Sequence, residues 1–254
     1  MKAVKKNVAA RQAKPEKWVI CFDLDDTLLP TNFRYHEASW KCGLIIARAL
    51  GTTSVSPLEI IQLQSRIDEE LLSTYGFQIE RFPQSWVRTY EYFCDRLGVE
   101  PNAAVSARLY NTASHFKYGP FRSFAGMKAL LQRLRRSGCR LHLITMGVDH
   151  LQRRKVRQAG LEKCFETIQI TARDKRSAMA EILRQAQSRP VMMVGDSLKS
   201  DMRPAKELGI TTVWISHPLQ DPSAVKPDHS IRSVHELPKL LEKLPAARRG
   251  KKRY

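Results

Sequence analysis

The sequence predicts an α/β fold, a doubly wound parallel sheet that is interrupted after its first strand by an inserted bundle of helices. Two patterns support this prediction. In residues 18–31 and 119–244, short apolar segments alternate with helical segments, which is typical of parallel strands connected by helices. Residues 32–118 show helical periodicity alone, and the length of 254 residues suits a core domain that carries one insertion.

The first strand is predicted at residues 18–23, a short apolar run that ends in an acidic residue. The polar residues and Pro30 that follow indicate a turn that leads the chain away from the strand. We therefore expect Asp23 to lie at the carboxyl end of a buried strand.

Four amphipathic helices with short connections are predicted in residues 32–118, which favours a small bundle. The second helix has the clearest start, because Ser56 can cap it, Pro57 suits its first position and Glu59 completes a capping box. The apolar positions expected to be buried are, helix by helix, Trp40, Leu44 and Ala47; Ile60, Leu63, Ile67 and Leu71; Trp86, Tyr90, Phe93 and Leu97; and Val105, Leu109, Ala113 and Phe116.

After residue 121, helices and strands are predicted to alternate. Five strands are expected, at residues 140–145, 165–171, 190–194, 211–215 and 230–232. Helices are expected around residues 127–134, from the second strand to Gly160, at 178–187, at 204–208 and from about residue 234. Because helices separate the strands along the chain, the strands are expected to run parallel.

The positive charge is concentrated at the two ends of the chain, which has a formal net charge of +18. Residues 1–17 contain six Lys and Arg against one Glu, and residues 239–254 contain seven against one. We interpret residues 1–17 and 245–254 as basic tails that aid solubility, with weak contact to nucleic acid or another polyanion as the alternative. Neither tail has aromatic side chains interleaved for stacking on bases.

Composition also bears on where the protein works. No segment approaches the roughly 20 apolar residues that span a bilayer, and the N-terminus lacks the apolar stretch of a signal peptide. The five cysteines are scattered, odd in number and without a CxxC pair, which favours a reducing compartment and argues against structural zinc. We therefore expect a cytoplasmic protein without a membrane span, and the sequence leaves its oligomeric state open.

Polar residues follow four of the predicted strands at their carboxyl ends, where open α/β sheets bind their ligands. Converging carboxylates repel one another unless a divalent cation lies among them, and all-oxygen ligation suits Mg²⁺. A hydroxyl, an ammonium and a glycine-containing turn would provide donors for a phosphoryl group, so the set predicts a phosphoryl-transfer site. The residues are Asp23, Asp25 and Thr27 after the first strand, Thr145 and Met146 after the second, Lys175 after the third, and Asp196 and Asp201 after the fourth.

These residues resemble the four motifs of the haloacid dehalogenase-like hydrolase superfamily. The matching segments are DLDDTL at 23–28, Thr145, Lys175 and GDSLKSD at 195–201, and the resemblance covers roughly residues 18–244. The insertion at 32–118 lies where that superfamily places a helical cap of the first type. The resemblance implies a Rossmann-like core and a magnesium-dependent phosphomonoester hydrolase. Such an enzyme would form an aspartyl-phosphate intermediate and act on a small phosphorylated metabolite.

The resemblance also implies a role for each residue. Asp23 would be the nucleophile, and Asp25 would protonate the leaving group and then deprotonate the attacking water. Thr145 and Lys175 would hold the phosphoryl oxygens, with help from the backbone amide of Met146. Relatives often have Asn where Met146 stands, so no side-chain contact is inferred for that position.

Magnesium would be bound by Asp23, the backbone carbonyl of Asp25 and Asp196, with Asp201 contributing directly or through water. The motif lysine lies in the unusual context TARDKRSA, which leaves Arg173 and Arg176 as alternatives to Lys175. Asp26, beside Asp25, is interpreted as structural or solvent-facing.

Contacts to the substrate are harder to locate. Arg34 and Tyr35, just after the first motif, and Arg81 in a loop of the insertion are candidates.

Three related activities of the superfamily can be compared with the residues present. Asp25 argues against a dehalogenase, since a halide needs no protonation, while a phosphonatase would need a cap lysine such as Lys41 or Lys117 that nothing singles out. A sugar-phosphate mutase stays open.

A different class of function is a nucleic-acid-binding protein on the same scaffold. It would use the basic tails and two arginine-rich helices, against the simpler interpretation that these are solvated helix faces. The basic residues concerned are Arg133, Arg135 and Arg136 in one helix, and Arg153, Arg154, Lys155 and Arg157 in the other. A complete set of catalytic residues favours the enzyme.

Overall fold

The computed structural model describes residues 18–51, 54–217 and 225–244. Residues 1–17 and 245–254, for which the sequence predicts basic tails, lie outside the described residues. All five cysteines lie within them as free thiols. Among the helices of the described ranges, none combines the length and apolarity that a membrane span requires.

The core is a six-stranded sheet whose pairings are all parallel. Its strands are β1 (Val19–Phe22), β2 (Arg140–Met146), β3 (Thr167–Thr171), β4 (Val191–Gly195), β5 (Thr211–Ile215) and β6 (His229–Ile231). They lie in the order β3-β2-β1-β4-β5-β6, so β1 is central and every residue in it is buried. The predicted Rossmann-like α/β class is confirmed, with strand ends that differ from the expected ones by at most two residues.

Nine α-helices are found in the described residues. The insertion contains α1 (Asn32–Leu50), α2 (Pro57–Tyr75), α3 (Arg81–Leu97) and α4 (Ala103–Ala113). The core contains α5 (Met127–Arg136), α6 (Asp149–Gln158), α7 (Arg176–Gln185), α8 (Arg203–Glu207) and α9 (Leu237–Lys243). In the insertion, α2 packs on α3, α3 on α4 and α4 on α1. Two clusters of buried apolar residues cover the sheet, as burial on both faces requires of parallel strands.

The predicted buried face of α1 is wrong in part. Trp40 is 63% exposed and Leu44 is 47% exposed, while the buried residues include Ala38, Cys42 and Ile46. Both sets repeat every four residues, so periodicity alone does not separate them. Small side chains let α1 approach α4 closely, with the Cys42 thiol 3.8 Å from the Leu109 carbonyl oxygen. Packing distance, which the pattern does not record, decides which face is buried.

Two other details of the insertion differ from expectation. Ser56 precedes α2 and Pro57 is its first residue, but the Ser56 side chain makes no capping hydrogen bond. Glu59 pairs with Arg96 on α3 at 2.5 Å and also accepts from the Ser56 backbone amide, so only the half of the capping box that the Ser56 hydroxyl would form is absent. Leu97 is 37% exposed because it lies in the last turn of its helix, where the bundle ends.

The topology determines where a site can form. The carboxyl ends of β1, β2, β3 and β4 lie side by side along one edge of the sheet, because these strands are neighbours and parallel. The helical insertion leaves the core directly after β1, at this same edge. Side chains that are more than 150 residues apart in sequence therefore meet there.

Candidate active site

The loop after β1 carries Asp23 and turns back sharply. The Asp23 amide donates to the Val194 carbonyl at 3.0 Å, which continues the pairing of β1 with β4. Two further amides, of Leu28 and Leu29, donate to the carbonyl of Leu24, and all three leucines are buried. These apolar anchors position Asp23 at the centre of the sheet edge.

Asp26 has a structural role, which is one of the two alternatives that the sequence left open. Its φ angle of 55° lies in the left-handed region, which Asp tolerates better than most residues. The Asp26 carboxylate accepts hydrogen bonds from the amides of Thr31 and Asn32 at 3.0 Å and from the Thr31 hydroxyl at 3.1 Å. It thereby satisfies free amides where α1 begins.

Three carboxylates come together at the strand ends. One oxygen from each of Asp23, Asp196 and Asp201 lies within 4.8 Å of the other two. Lys175, which is buried, contacts two of them: its Nζ is 2.5 Å from Asp23 Oδ1 and 2.6 Å from Asp201 Oδ1. The structure thus brings together four residues that the sequence placed after three different strands.

The other two candidates for the lysine position do not reach this cluster. Arg176 pairs with Glu207 at 2.8 Å, on the surface of the core. Arg173 is exposed and lines a neighbouring groove of about 830 Å³, together with Arg176 and Lys175. Lys175 is therefore the cation that contacts the carboxylates.

Asp201 reaches the cluster through a local irregularity. A π-helical turn at Leu198–Met202 places Asp201 back over the end of β4, where its Oδ2 accepts from the Ser197 amide at 3.0 Å. Such turns are frequent at functional sites. A Cβ at Gly195 would overlap the Asp201 carboxylate, so the position requires glycine.

Asp196 is held mainly by its backbone. Trp214 Nε1 donates to its carbonyl oxygen at 2.9 Å, and the Thr27 hydroxyl approaches its side chain at 3.5 Å. Its carboxylate therefore has fewer protein partners than that of Asp201, whose two oxygens are engaged by Lys175 and by the Ser197 amide.

Burial and mutual repulsion disfavour the ionised form of this cluster. Burial, together with the charges of Asp201 and Asp25, raises the pKa of Asp23 to about 7, although Lys175 opposes the shift. Burial and the charges of Asp23 and Asp201 likewise raise the pKa of Asp196 to about 8. Burial lowers the pKa of Lys175, but the adjacent carboxylates more than offset this, so its pKa lies above the ordinary value. One ammonium does not neutralise three carboxylates, and a small divalent cation with oxygen ligands fits the remaining charge.

The same shifts predict how metal and pH affect stability. A raised pKa means that ionising Asp23 and Asp196 opposes folding, so the metal-free protein should lose stability as pH rises from 6 to 8.5. A fixed Mg²⁺ concentration of about 100 times the Kd at pH 8.5 should raise the melting temperature by about 5–10 °C at that pH, and by less at pH 6, where protonation of the carboxylates weakens binding. Differential scanning calorimetry measures the melting temperature with and without Mg²⁺ at each pH. An equal shift at both pH values, or none, would contradict a metal site at this cluster.

Asp25 lies beside the cluster and has two partners on α6. Lys155 Nζ is 2.9 and 2.8 Å from its two carboxylate oxygens, and Gln152 Nε2 is 2.9 Å from Oδ2. The same Gln152 nitrogen is 2.6 Å from Thr145 Oγ1 and 3.1 Å from the Met146 carbonyl. Asp25, Thr145 and Met146 thus share a hydrogen-bonded network.

Gln152 was not predicted from the sequence, and Lys155 was wrongly interpreted as part of a solvated basic face. Lys155 is 3% exposed, and Gln152 is buried as well. The available signal was helical spacing, because both residues lie on the face that carries Leu151 and Val156.

Two of the other basic residues of α6 are engaged within the protein. Arg153 pairs with Asp149 at 2.9 Å, and Arg154 donates to the carbonyl of Lys117. With Lys155 buried, the prediction of a basic binding face on this helix lacks support.

Two of the three candidate substrate contacts line the site cavity, and the third does not. Tyr35 and Arg81 line a cavity of about 320 Å³ that also contains Asp23 and Asp25, whereas Arg34 does not line it. The Arg34 guanidinium instead donates to the carbonyls of Tyr118 and Pro120, at 3.0 and 2.7 Å. Arg34 therefore connects the start of the insertion with the segment that leaves it.

Tyr35 and Arg81 are themselves engaged within the insertion. The Tyr35 ring stacks on Phe116, with 4.8 Å between centroids, and Arg81 forms an ion pair with Asp68. The helices of the insertion thus form one wall of the cavity, opposite the strand ends.

A six-stranded parallel α/β sheet with carboxylates and a lysine gathered at its strand ends, interrupted after its first strand by helices, defines a class of hydrolases. A family model described as haloacid dehalogenase-like hydrolase matches residues 19–209, and the chain belongs to that family.

Curated relatives give the type of hydrolase. The chain is 29% identical over 162 residues to pyrimidine 5'-nucleotidase YjjG of Escherichia coli, covering 60% of this chain and 69% of the relative. It is 27% identical to glyceraldehyde 3-phosphate phosphatase of Pyrococcus furiosus, covering 89% and 92%. The same-named enzyme of Pyrococcus abyssi is 30% identical, covering 78% and 81%. Family and relatives together make the protein a hydrolase of the phosphatase type.

Solved structures agree on the fold. A haloacid dehalogenase-like hydrolase from Xanthomonas campestris superposes with a TM-score of 0.70 at 19% identity, covering 92% of this chain and 94% of that one. An L-2-haloacid dehalogenase from Xanthobacter autotrophicus superposes with a TM-score of 0.54 at 16% identity, covering 91% and 100%. Because dehalogenases share the fold, the chemistry has to be argued from the site.

Proposed function

We propose that the protein is a magnesium-dependent phosphomonoester hydrolase that acts through an aspartyl-phosphate on a small phosphorylated metabolite. The observation that carries this proposal is the placement of Asp23, buried at the strand edge with Lys175 on one of its oxygens. The phosphatase and nucleotidase relatives support phosphate esters as the substrate class.

Asp23 is the proposed nucleophile. Lys175 holds Oδ1, and among the described residues no hydrogen bond to Oδ2 is formed, which leaves that oxygen for attack on phosphorus. Attack forms the Asp23–phosphate bond as the bond from phosphorus to the leaving oxygen breaks. Water then attacks the phosphorus, and inorganic phosphate leaves with Asp23 restored.

Thr145 and Lys175 are proposed to hold the phosphoryl oxygens. The Thr145 hydroxyl accepts from Gln152, so its own hydrogen is available to a phosphoryl oxygen. The Lys175 ammonium has donors beyond those it directs to Asp23 and Asp201 through its Nζ. The backbone amide of Met146, at the end of β2, is the third proposed donor.

Asp25 is the proposed acid and base. It gives a proton to the oxygen of the leaving alcohol and later accepts one from the attacking water, so its protonation state is restored after each turnover. This carboxyl also distinguishes the proposal from dehalogenation, since a departing halide needs no proton. The fold that this chain shares with dehalogenases therefore does not indicate dehalogenation as its reaction.

The metal is proposed to be bound by Asp23, the carbonyl of Asp25, Asp196 and Asp201. Asp196 is the freest of the carboxylates, whereas Asp201 is already engaged by Lys175 and Ser197, which favours a less direct contribution from Asp201. When bound, Mg²⁺ would neutralise charge on the carboxylates and on the phosphoryl group.

We propose that residues 32–118 form the cap of this enzyme, and that residues 18–31 and 119–244 form its core. The helices of the insertion already form a wall of the site cavity through Tyr35 and Arg81. Two connections join the proposed parts, and Arg34 ties them together at residues 118–120. A cap in this position excludes water from the site during transfer and selects the substrate.

The proposal is tested by assaying the full chain with p-nitrophenyl phosphate and with a panel of phosphorylated metabolites, with Mg²⁺ and after treatment with EDTA. We expect hydrolysis that disappears with EDTA, returns with Mg²⁺ and is fastest with one class of small phosphate ester. Absence of hydrolysis across the whole panel with Mg²⁺ present would contradict the proposed activity.

A further inference from the structure

Among the described residues, the buried ammonium of Lys155 has one carboxylate partner, Asp25. It is 3% exposed, and its Nζ lies within 2.9 Å of both oxygens of Asp25. The same nitrogen lies over the Phe121 ring, 5.8 Å from its centroid. A buried charge requires such a partner, so Lys155 and Asp25 determine each other's position.

Gln152 extends this arrangement to the phosphate-binding side of the site. Its Nε2 has two hydrogens and lies within hydrogen-bonding distance of Asp25 Oδ2, Thr145 Oγ1 and the Met146 carbonyl. One side chain therefore connects the proposed acid and base with the end of β2, where the phosphoryl group is proposed to bind.

Both residues belong to a helix that is fixed to the core. Gln152 and Lys155 are one turn apart on α6, between the buried side chains of Leu151 and Val156. Asp25, in contrast, lies on a loop, and its side chain is 29% exposed. Without partners, that carboxylate has several rotamers open to it.

We propose that Lys155 and Gln152 are positioning residues that hold the Asp25 carboxylate in the orientation needed for proton transfer. This inference rests on the proposed function, in which Asp25 protonates the leaving oxygen and then deprotonates water. Neither residue is assigned a contact with the reacting atoms. Their contribution is to limit Asp25 to one orientation relative to Thr145, because misplacement of a catalytic group by about 1 Å slows a reaction strongly.

The main test replaces Lys155 with Met, which has a similar length and suits a buried site. We expect kcat for phenyl phosphate to fall by about 10- to 100-fold while KM changes less than about twofold. Phosphorylation of Asp23 by p-nitrophenyl phosphate should slow less, because nitrophenolate leaves without a proton. Dephosphorylation still needs the base, so a burst of nitrophenolate should precede slow turnover.

Arg157→Met is the matched control, since it removes a cation from an exposed position on the same helix. It should leave kcat, KM and the burst unchanged. If Lys155→Met does not fold, Gln152→Leu provides the test: it keeps the ion pair but removes the link to Thr145, and should lower kcat in the same direction by a smaller factor.

A double variant separates this inference from the proposed function. In an Asp25→Asn background, Lys155→Met should have no further effect on kcat, because its action passes through Asp25. An equal fall in both backgrounds, or full activity in folded Lys155→Met or Gln152→Leu, would overturn the inference alone. Full activity in Asp25→Asn would instead overturn the proposed role of Asp25.

Discussion

Replacing Asp23 with Asn is expected to reduce hydrolysis of p-nitrophenyl phosphate by about 10⁴-fold or more, to the background rate. The amide neither attacks phosphorus nor contributes a charged ligand to the metal, so both proposed functions of the side chain are lost. Steady-state assays with Mg²⁺ measure the effect. Rapid quench with a labelled phosphate ester, followed by peptide mapping, should find label on Asp23 in the unmodified protein and none in the variant.

Folding should survive the Asp23→Asn substitution, which makes the result interpretable. Lys175 keeps its second partner, Asp201 Oδ1 at 2.6 Å, so the buried ammonium stays paired. Asp149→Asn is a suitable control, because it changes an exposed aspartate that pairs with Arg153 and not with Lys175. Label on a residue other than Asp23, or full activity in Asp23→Asn, would refute the proposed intermediate.

Asp25→Asn is expected to lower kcat by about 10²–10⁴-fold, the usual contribution of general acid–base catalysis. The backbone carbonyl proposed as a metal ligand is retained, so Mg²⁺ affinity should change little. Because water attacks the intermediate slowly without a base, phosphorylated Asp23 should accumulate in this variant. Quenched samples taken during turnover of p-nitrophenyl phosphate measure the trapped fraction.

The Asp25→Asn variant also removes the charge partner of Lys155. A buried ammonium that faces a neutral amide destabilises the folded protein, so a lower melting temperature is expected and is measured alongside activity. Assays at a temperature where the variant is fully folded measure the loss of catalysis without a contribution from the loss of stability. A normal kcat there, or no trapped intermediate, would contradict the role proposed for Asp25.

Much of this architecture could be predicted from local sequence. An apolar run that ends in acid gives β1, and alternation of strands with helices gives a parallel sheet. In a parallel sheet the carboxyl ends of neighbouring strands share one edge. For that reason Asp23, Lys175, Asp196 and Asp201 could be assigned to one place, although they derive from three separate strand ends.

Other features depended on which surfaces pack together. Trp40 and Leu44 repeat as regularly as Ala38 and Cys42, and only the close approach of α1 to α4 selects the small side chains for burial. Arg34 was a candidate substrate contact because it follows the first motif, with a structural role as the alternative. Its guanidinium is bound instead by the carbonyls of Tyr118 and Pro120, which are distant in sequence.

Local sequence was enough to predict the fold class, the sheet edge that carries the candidate site and the residue types gathered there, because these follow from periodicity and from strand ends. Long-range packing, in contrast, buries Lys155 against Asp25 and lets Gln152 connect Asp25 with Thr145. The local sequence around a lysine on a basic helix does not distinguish a solvated side chain from one in a buried ion pair. The difference lies in a carboxylate 130 residues away in sequence, which is brought within 3 Å by folding alone.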